Sequence, residues 1–158
     1  GKKGEPVVHQ KEPVFEIGKA ISIREGRDVC ILGTGNILPS CLEAAELLAS
    51  RGILAKVVSV HTVKPLDTDL LNTLISQFSL IVTVEEHSEL GGLGGSVAEY
   101  FTSLDYKGSR LLRLGTPDSF FHGAGDQEFF RGQCGLTAQK IADQIAYGVN
   151  LIAGKKSV

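Results

Sequence analysis

The sequence predicts a three-layer, doubly wound α/β domain with a mostly parallel sheet of about five strands. Three observations carry this expectation. Short apolar runs such as VCILG (Val29 to Gly33), LAKVVSV (Leu54 to Val60) and LIVTV (Leu80 to Val84) are bounded by turn residues, as in strands buried on both faces. Amphipathic segments with helical spacing lie between them. The connections are short, so each helix must fold back across the sheet to bury its apolar stripe, which forces parallel pairing and right-handed crossovers.

The elements follow in order. Residues 1 to 12 read as a polar, proline-containing interdomain linker, 13 to 147 as the folded domain and 148 to 158 as a frayed tail. VFEIGKAISI has the composition of one or two short strands, and Arg24, Glu25 and Gly26 turn the chain into the first core strand. From Pro39 to Arg51, Cys41, Leu42, Ala45, Leu48 and Ala49 share one face of a helix, while Glu43, Glu46 and Ser50 share the other. Gly52 stands where a left-handed cap is commonly required. Asp67 is placed to cap a second helix whose buried stripe is Leu70, Leu71, Leu74, Ile75 and Phe78. Val97, Ala98, Phe101 and Leu104 mark a third helix, LLRL near Leu112 a further strand, and Ile141, Ala142 and Ile145 a last helix after Thr137.

Composition narrows the function classes. The 158 residues are 42% apolar and 22% charged, within the range of one globular domain. A formal net charge of −2 gives no broad positive field for a nucleic-acid backbone or an anionic membrane. Cys30, Cys41 and Cys134 are widely spaced and form no metal or redox pair, which fits a reduced, cytoplasmic chain. No apolar run approaches the roughly 20 residues of a membrane-spanning helix. The sequence contains no methionine and opens on a linker-like stretch, so it is expected to be a piece cut from a longer protein.

Several motifs lie at expected strand ends. GTGNIL (Gly33 to Leu38) resembles a phosphate loop but lacks its third glycine, and no Asp or Glu follows about 20 residues on to hold a ribose. A tight strand-to-helix turn fits these residues better. EEHSELGGLGGS (Glu85 to Ser96) is the densest polar cluster and is expected in a loop at a strand's carboxyl end. Glu85, Glu86 and His87 are candidates for acid–base or metal chemistry. Neighbouring residues point in different directions and no second pair of ligands is spaced for a metal, so a structural or interface role is favoured, shared by Gly91, Gly92 and Gly94. His61 and Lys64 in HTVKPLD could meet an anion, although Pro65 shaping the turn and Asp67 capping the helix explain the motif more simply. FFHGAGDQEFF (Phe120 to Phe130) sets His122 and Asp126 in a glycine-rich loop among four phenylalanines, a natural packing surface for a neighbouring domain.

Taken together, FEIGKA (Phe15 to Ala20), REGRDVCILGTG (Arg24 to Gly35), LEAAELLASRGI (Leu42 to Ile53), VVSVHTVKPLD (Val57 to Asp67), VTVEEHSELGGLGGSVAE (Val82 to Glu99) and GLTAQKI (Gly135 to Ile141) resemble, in this order, the C-terminal domain of transketolases. 1-Deoxyxylulose-5-phosphate synthases and the β subunits of 2-oxoacid dehydrogenases have a similar domain, with FEIGKA and HTVKPLD favouring transketolase. The resemblance implies an enzyme that moves two-carbon ketol units between sugar phosphates, using thiamine diphosphate and a divalent metal such as Mg. The cofactor would be held between a pyrophosphate-binding and a pyrimidine-binding domain across a homodimer interface. This chain carries neither domain, and the family's G-D-G and N-N cofactor signature is absent. The resemblance thus implies an assembly-supporting domain that binds no cofactor and has no catalytic residue. Glu85, Glu86, His87, Gly91, Gly92 and Gly94 match a family loop without an assigned chemical role. The stretch PDSFFHGAGDQEFFRG departs from the family, in which it tends to be shorter and less aromatic. A freestanding module that binds a small ligand at its glycine-rich loops is the competing expectation.

Overall fold

The computed structural model describes residues 7–8, 13–88, 90–105, 108–118 and 126–155. Strands β1 (Ile21–Arg24), β2 (Val29–Gly33), β3 (Ala55–Ser59), β4 (Leu80–Ser88) and β5 (Arg110–Thr116) form one sheet in the order β1-β3-β2-β4-β5. Only β1 runs antiparallel to its neighbour; the other three pairings are parallel. The helices are α1 (Leu38–Ala49), α2 (Thr68–Gln77), α3 (Leu93–Thr102), α4 (Gln127–Gln133) and α5 (Ala138–Lys155), with a 3-10 turn at Gly35–Ile37 before α1.

Alternation along the strands divides the core into two layers. Val29, Ile31, Val57, Val82 and Val84 pack with α1 and α5 through Cys41, Ala45, Leu48, Ile141 and Ile145. Cys30, Leu32, Val58 and Ile81 face the other way, against Leu71, Leu74, Ile75, Leu93 and Val97 of α2 and α3. Three layers around a mostly parallel five-stranded sheet is the expected architecture. The chain leaves β2 towards the α1 face and leaves β4 towards the α3 face, so a crevice lies between the carboxyl ends of these adjacent strands.

Local signals behave as read. Asp67 caps α2 by accepting the Leu70 N–H at 3.1 Å, and Gly52 takes φ +80° after α1. Gly35 takes φ +70° in the turn leaving β2.

Four expectations change. Residues 13–20 form no strand: the Ala20 N–H is held by the Asp67 carboxylate at 3.0 Å, and Gly18 turns at φ +81° against Pro65. Glu85, Glu86 and His87 belong to β4 and not to a loop, because pairing continues past a bulge to Ser88 opposite Thr116. Part of the expected glycine-rich loop is helix α4, with Asp126 as its cap at 2.8 Å from the Phe129 N–H. Finally, α5 continues from 148 to Lys155 where a frayed tail was expected, since Val149 and Ile152 prolong the face led by Ile145 and pack on the same core.

Cys30 and Cys41 are fully buried, and loss of hydration pushes each thiol up to about 12. An unfolded thiol ionises near 9.0, so above that pH the unfolded chain sheds protons that the folded chain retains. These two thiols contribute stability fully below the unfolded value, and the contribution is lost as pH rises through the folded one. The urea midpoint is expected to fall as pH rises from about 9 towards about 12, and less steeply in a Cys30→Ala, Cys41→Ala variant. Equal slopes would contradict this account.

Candidate functional site

At the carboxyl end of β4, pleating sends Glu85 and Glu86 to opposite faces of the sheet. Glu85 is 2% exposed and faces α3. Its carboxylate accepts the Leu93 N–H at 2.9 Å and the Gly94 N–H at 2.7 Å, satisfying two donors that the first turn of a helix otherwise leaves open. Negative charge is also favoured at a helix N-terminus. The glycines admit this carboxylate. A Cβ on Gly92 would stand 1.9 Å from Glu85 Oε2, and one on Gly94 would stand 3.0 Å from Thr83 Oγ1 and 3.2 Å from Glu85 Oε1. Glu85, Gly92 and Gly94 thus form one capping unit that fixes α3 to β4.

Glu86 faces α4. It accepts from Arg131 Nε at 2.5 Å and from Gln127 Nε2 at 2.9 and 3.0 Å. Arg131 also donates from Nη2 to the Asn36 carbonyl at 2.9 Å, joining α4 to the turn after β2. This network spans the crevice between the ends of β2 and β4. Sequence reading missed Arg131, Gln127 and Asn36. The signal for α4 was present: Asp126 at the cap, Glu128 in the first turn and Arg131 in the last match a helix dipole.

The remaining candidates do not converge on this site. His61 follows β3, half-buried, with its ring edge-on to Phe15 at 5.0 Å and Nδ1 2.9 Å from Thr62 Oγ1. Lys64 is exposed three residues before the helix cap Asp67. His87 and Gly91 are exposed, and Gly91 takes φ +80° with open space around it. His122, with Phe120 and Phe121, lies outside the described residues. Among the described residues no group of three His, Cys, Asp or Glu side chains is placed to hold a metal ion, and no helix is long and apolar enough to cross a membrane. The G-D-G and N-N signature is also missing from the sequence, and the donor set among the described residues does not fit a metal–diphosphate cofactor.

The site is thus a doubly wound sheet with a capping carboxylate on one side of its crevice edge and a charged clasp on the other. The chain belongs to the family described as the transketolase C-terminal domain, whose pattern matches residues 18–141. It is 39% identical over 138 residues to a 1-deoxy-D-xylulose-5-phosphate synthase of Nitrosomonas europaea, covering 87% of this chain and 21% of that protein. It is 37% identical over 137 residues to a putative transketolase C-terminal section of Methanocaldococcus jannaschii, covering 87% of this chain and 42% of that protein. A solved split-gene transketolase, described as an inactive β4 tetramer, superposes with a TM-score of 0.84 at 34% identity, over 94% of this chain and 48% of its own. This chain therefore spans about a fifth of the length of the synthase and under half of the other two.

Proposed function

We propose that this chain is the assembly-supporting C-terminal domain of a thiamine diphosphate enzyme that transfers two-carbon ketol units between sugar phosphates. The observation that carries the reading is the commitment of the site's two carboxylates to the chain's own structure: Glu85 holds α3 and Glu86 holds α4. In this reading the thiamine diphosphate and its divalent metal are held by pyrimidine-binding and pyrophosphate-binding domains of the same enzyme, working as a homodimer. Val14, Phe15 and Ile17, before β1, and Leu90, after β4, are exposed apolar side chains at the carboxyl edge of the sheet, chemistry suited to contact with such a neighbour. The split-gene relative's description as an inactive β4 tetramer supports the same division of labour.

The test is the purified chain with thiamine diphosphate, magnesium, xylulose 5-phosphate and ribose 5-phosphate, with sugar phosphates followed by mass spectrometry. No ketol-transfer product is expected, and turnover by the chain alone would overturn the reading. A second reading, in which the intact enzyme is a 1-deoxyxylulose-5-phosphate synthase, is favoured by the named function of the Nitrosomonas relative. It expects 1-deoxyxylulose 5-phosphate as the product of the intact enzyme and no ketol-extended sugar.

A further inference from the structure

The helix α4 contributes no buried residue, although it lies across the crevice between the ends of β2 and β4. Its C-terminal end is anchored. The Leu136 N–H donates to the Arg131 carbonyl at 2.8 Å, Leu136 itself sits in the core, and Lys140 donates to the Gly132 carbonyl at 2.6 Å. Gly132 and Gly135 bracket this end, and Gly135 takes φ +75°. Further along the helix, Arg131 and Gln127 both meet Glu86 of the sheet. Gln127 and Arg131 also form a shared wall between two cavities. One, of about 310 Å³, extends over Asn36, Pro39 and Ser40, and the other, of about 220 Å³, extends over Thr116, Cys134 and Leu136. A short helix with no fully buried side chain, tied to the sheet by charged and polar contacts, has the features of a locally opening unit.

We propose that α4 is a strap over the sheet's carboxyl-end crevice, hinged at Gly132–Gly135 and latched by Glu86, and that it opens without unfolding the domain. Opening swings Arg131 and Gln127 away and merges the two cavities into one site at the position where doubly wound sheets bind ligands. Glu86 holds the strap closed in the isolated chain. This inference does not depend on the proposed assembly role.

Cys134 reports on the strap, because its N–H closes the last turn of α4 on the Phe130 carbonyl at 2.9 Å and its side chain lines the smaller cavity. Cys30 and Cys41 are fully buried in the core and serve as internal controls. The experiment is the rate of thiol modification by dithiobis-nitrobenzoate in the full 158-residue chain and in Glu86→Ala. Glu86→Ala is expected to raise the Cys134 rate about tenfold while the other two thiols stay silent, with Glu86→Gln, which keeps one acceptor, in between. A Cys134 rate changed by less than about twofold, or all three thiols accelerating together, would overturn the proposal. Should Glu86→Ala fail to fold, hydrogen exchange of the unaltered chain decides. The Phe130 and Cys134 amides must open at a smaller free energy than those of Ile31 and Val82, and equal protection refutes the strap.

Discussion

Glu85→Ala is expected to destabilise the domain by about 3–5 kcal/mol, measured as a lowered urea midpoint. The carboxylate is 2% exposed, so truncation leaves the Leu93 and Gly94 N–H groups buried without acceptors. Each stranded donor costs roughly 1–3 kcal/mol, and the vacated volume adds a cavity term. Glu85→Gln should cost less, because its amide oxygen retains one acceptor in the same shape. The same unit can be broken from the other side. Gly92→Ala places a methyl 1.9 Å from Glu85 Oε2, and that carboxylate cannot retreat without giving up the α3 amides. The two substitutions attack one interaction, so the double variant should cost clearly less than the sum of the singles. Additive losses would show that Glu85 and Gly92 stabilise the fold separately and that the capping unit is wrongly drawn.

How much of this was legible in the sequence depended on the range of the interactions involved. The α1 stripe, the Asp67 cap and the Gly52 turn are local, and each is written within one or two helical turns of chain. The roles of Glu85 and Glu86 are not. As letters they form one acidic cluster, but strand pleating separates them, and whether they lie on a strand at all is decided by pairing with Thr116 nearly thirty residues away. The polar cluster at the carboxyl edge of β4 is visible as letters, while its partners there, Arg131 and Gln127, reach it only through tertiary folding. The C-terminal extension of α5 had a readable signal in Ile145, Val149 and Ile152. Gly148 weakens it locally, yet that glycine suits a close approach to the sheet, since a Cβ there would lie 3.1 Å from Leu80 Cδ2.

A second large effect is expected at Gly26, and its cause is topological. Strands β1 and β2 flank β3 on opposite sides, so the short connection between them must cross the first residues of β3. The crossing is tight: the Arg27 and Asp28 N–H groups both donate to the Leu54 carbonyl at 3.0 Å, and the Leu54 N–H returns a bond of 2.7 Å to the Asp28 carboxylate. Gly26 is pressed against the β3 backbone itself, where a Cβ would stand 2.2 Å from both the Ala55 carbonyl carbon and the Lys56 nitrogen. No rotamer change relieves a clash with main chain. Either the turn lifts and loses its bonds to Leu54, or β3 shifts and disturbs its register with β2. Gly26→Ala is therefore expected to cost about 3 kcal/mol or more, at the upper end for overpacking. By contrast, Gly132→Ala, where no atom lies within 4 Å of the added carbon, should leave the urea midpoint nearly unchanged. If Gly26→Ala kept the parent midpoint, the crossing would have slack that these distances deny, and β1 would be free to detach from β3 without straining the central strands.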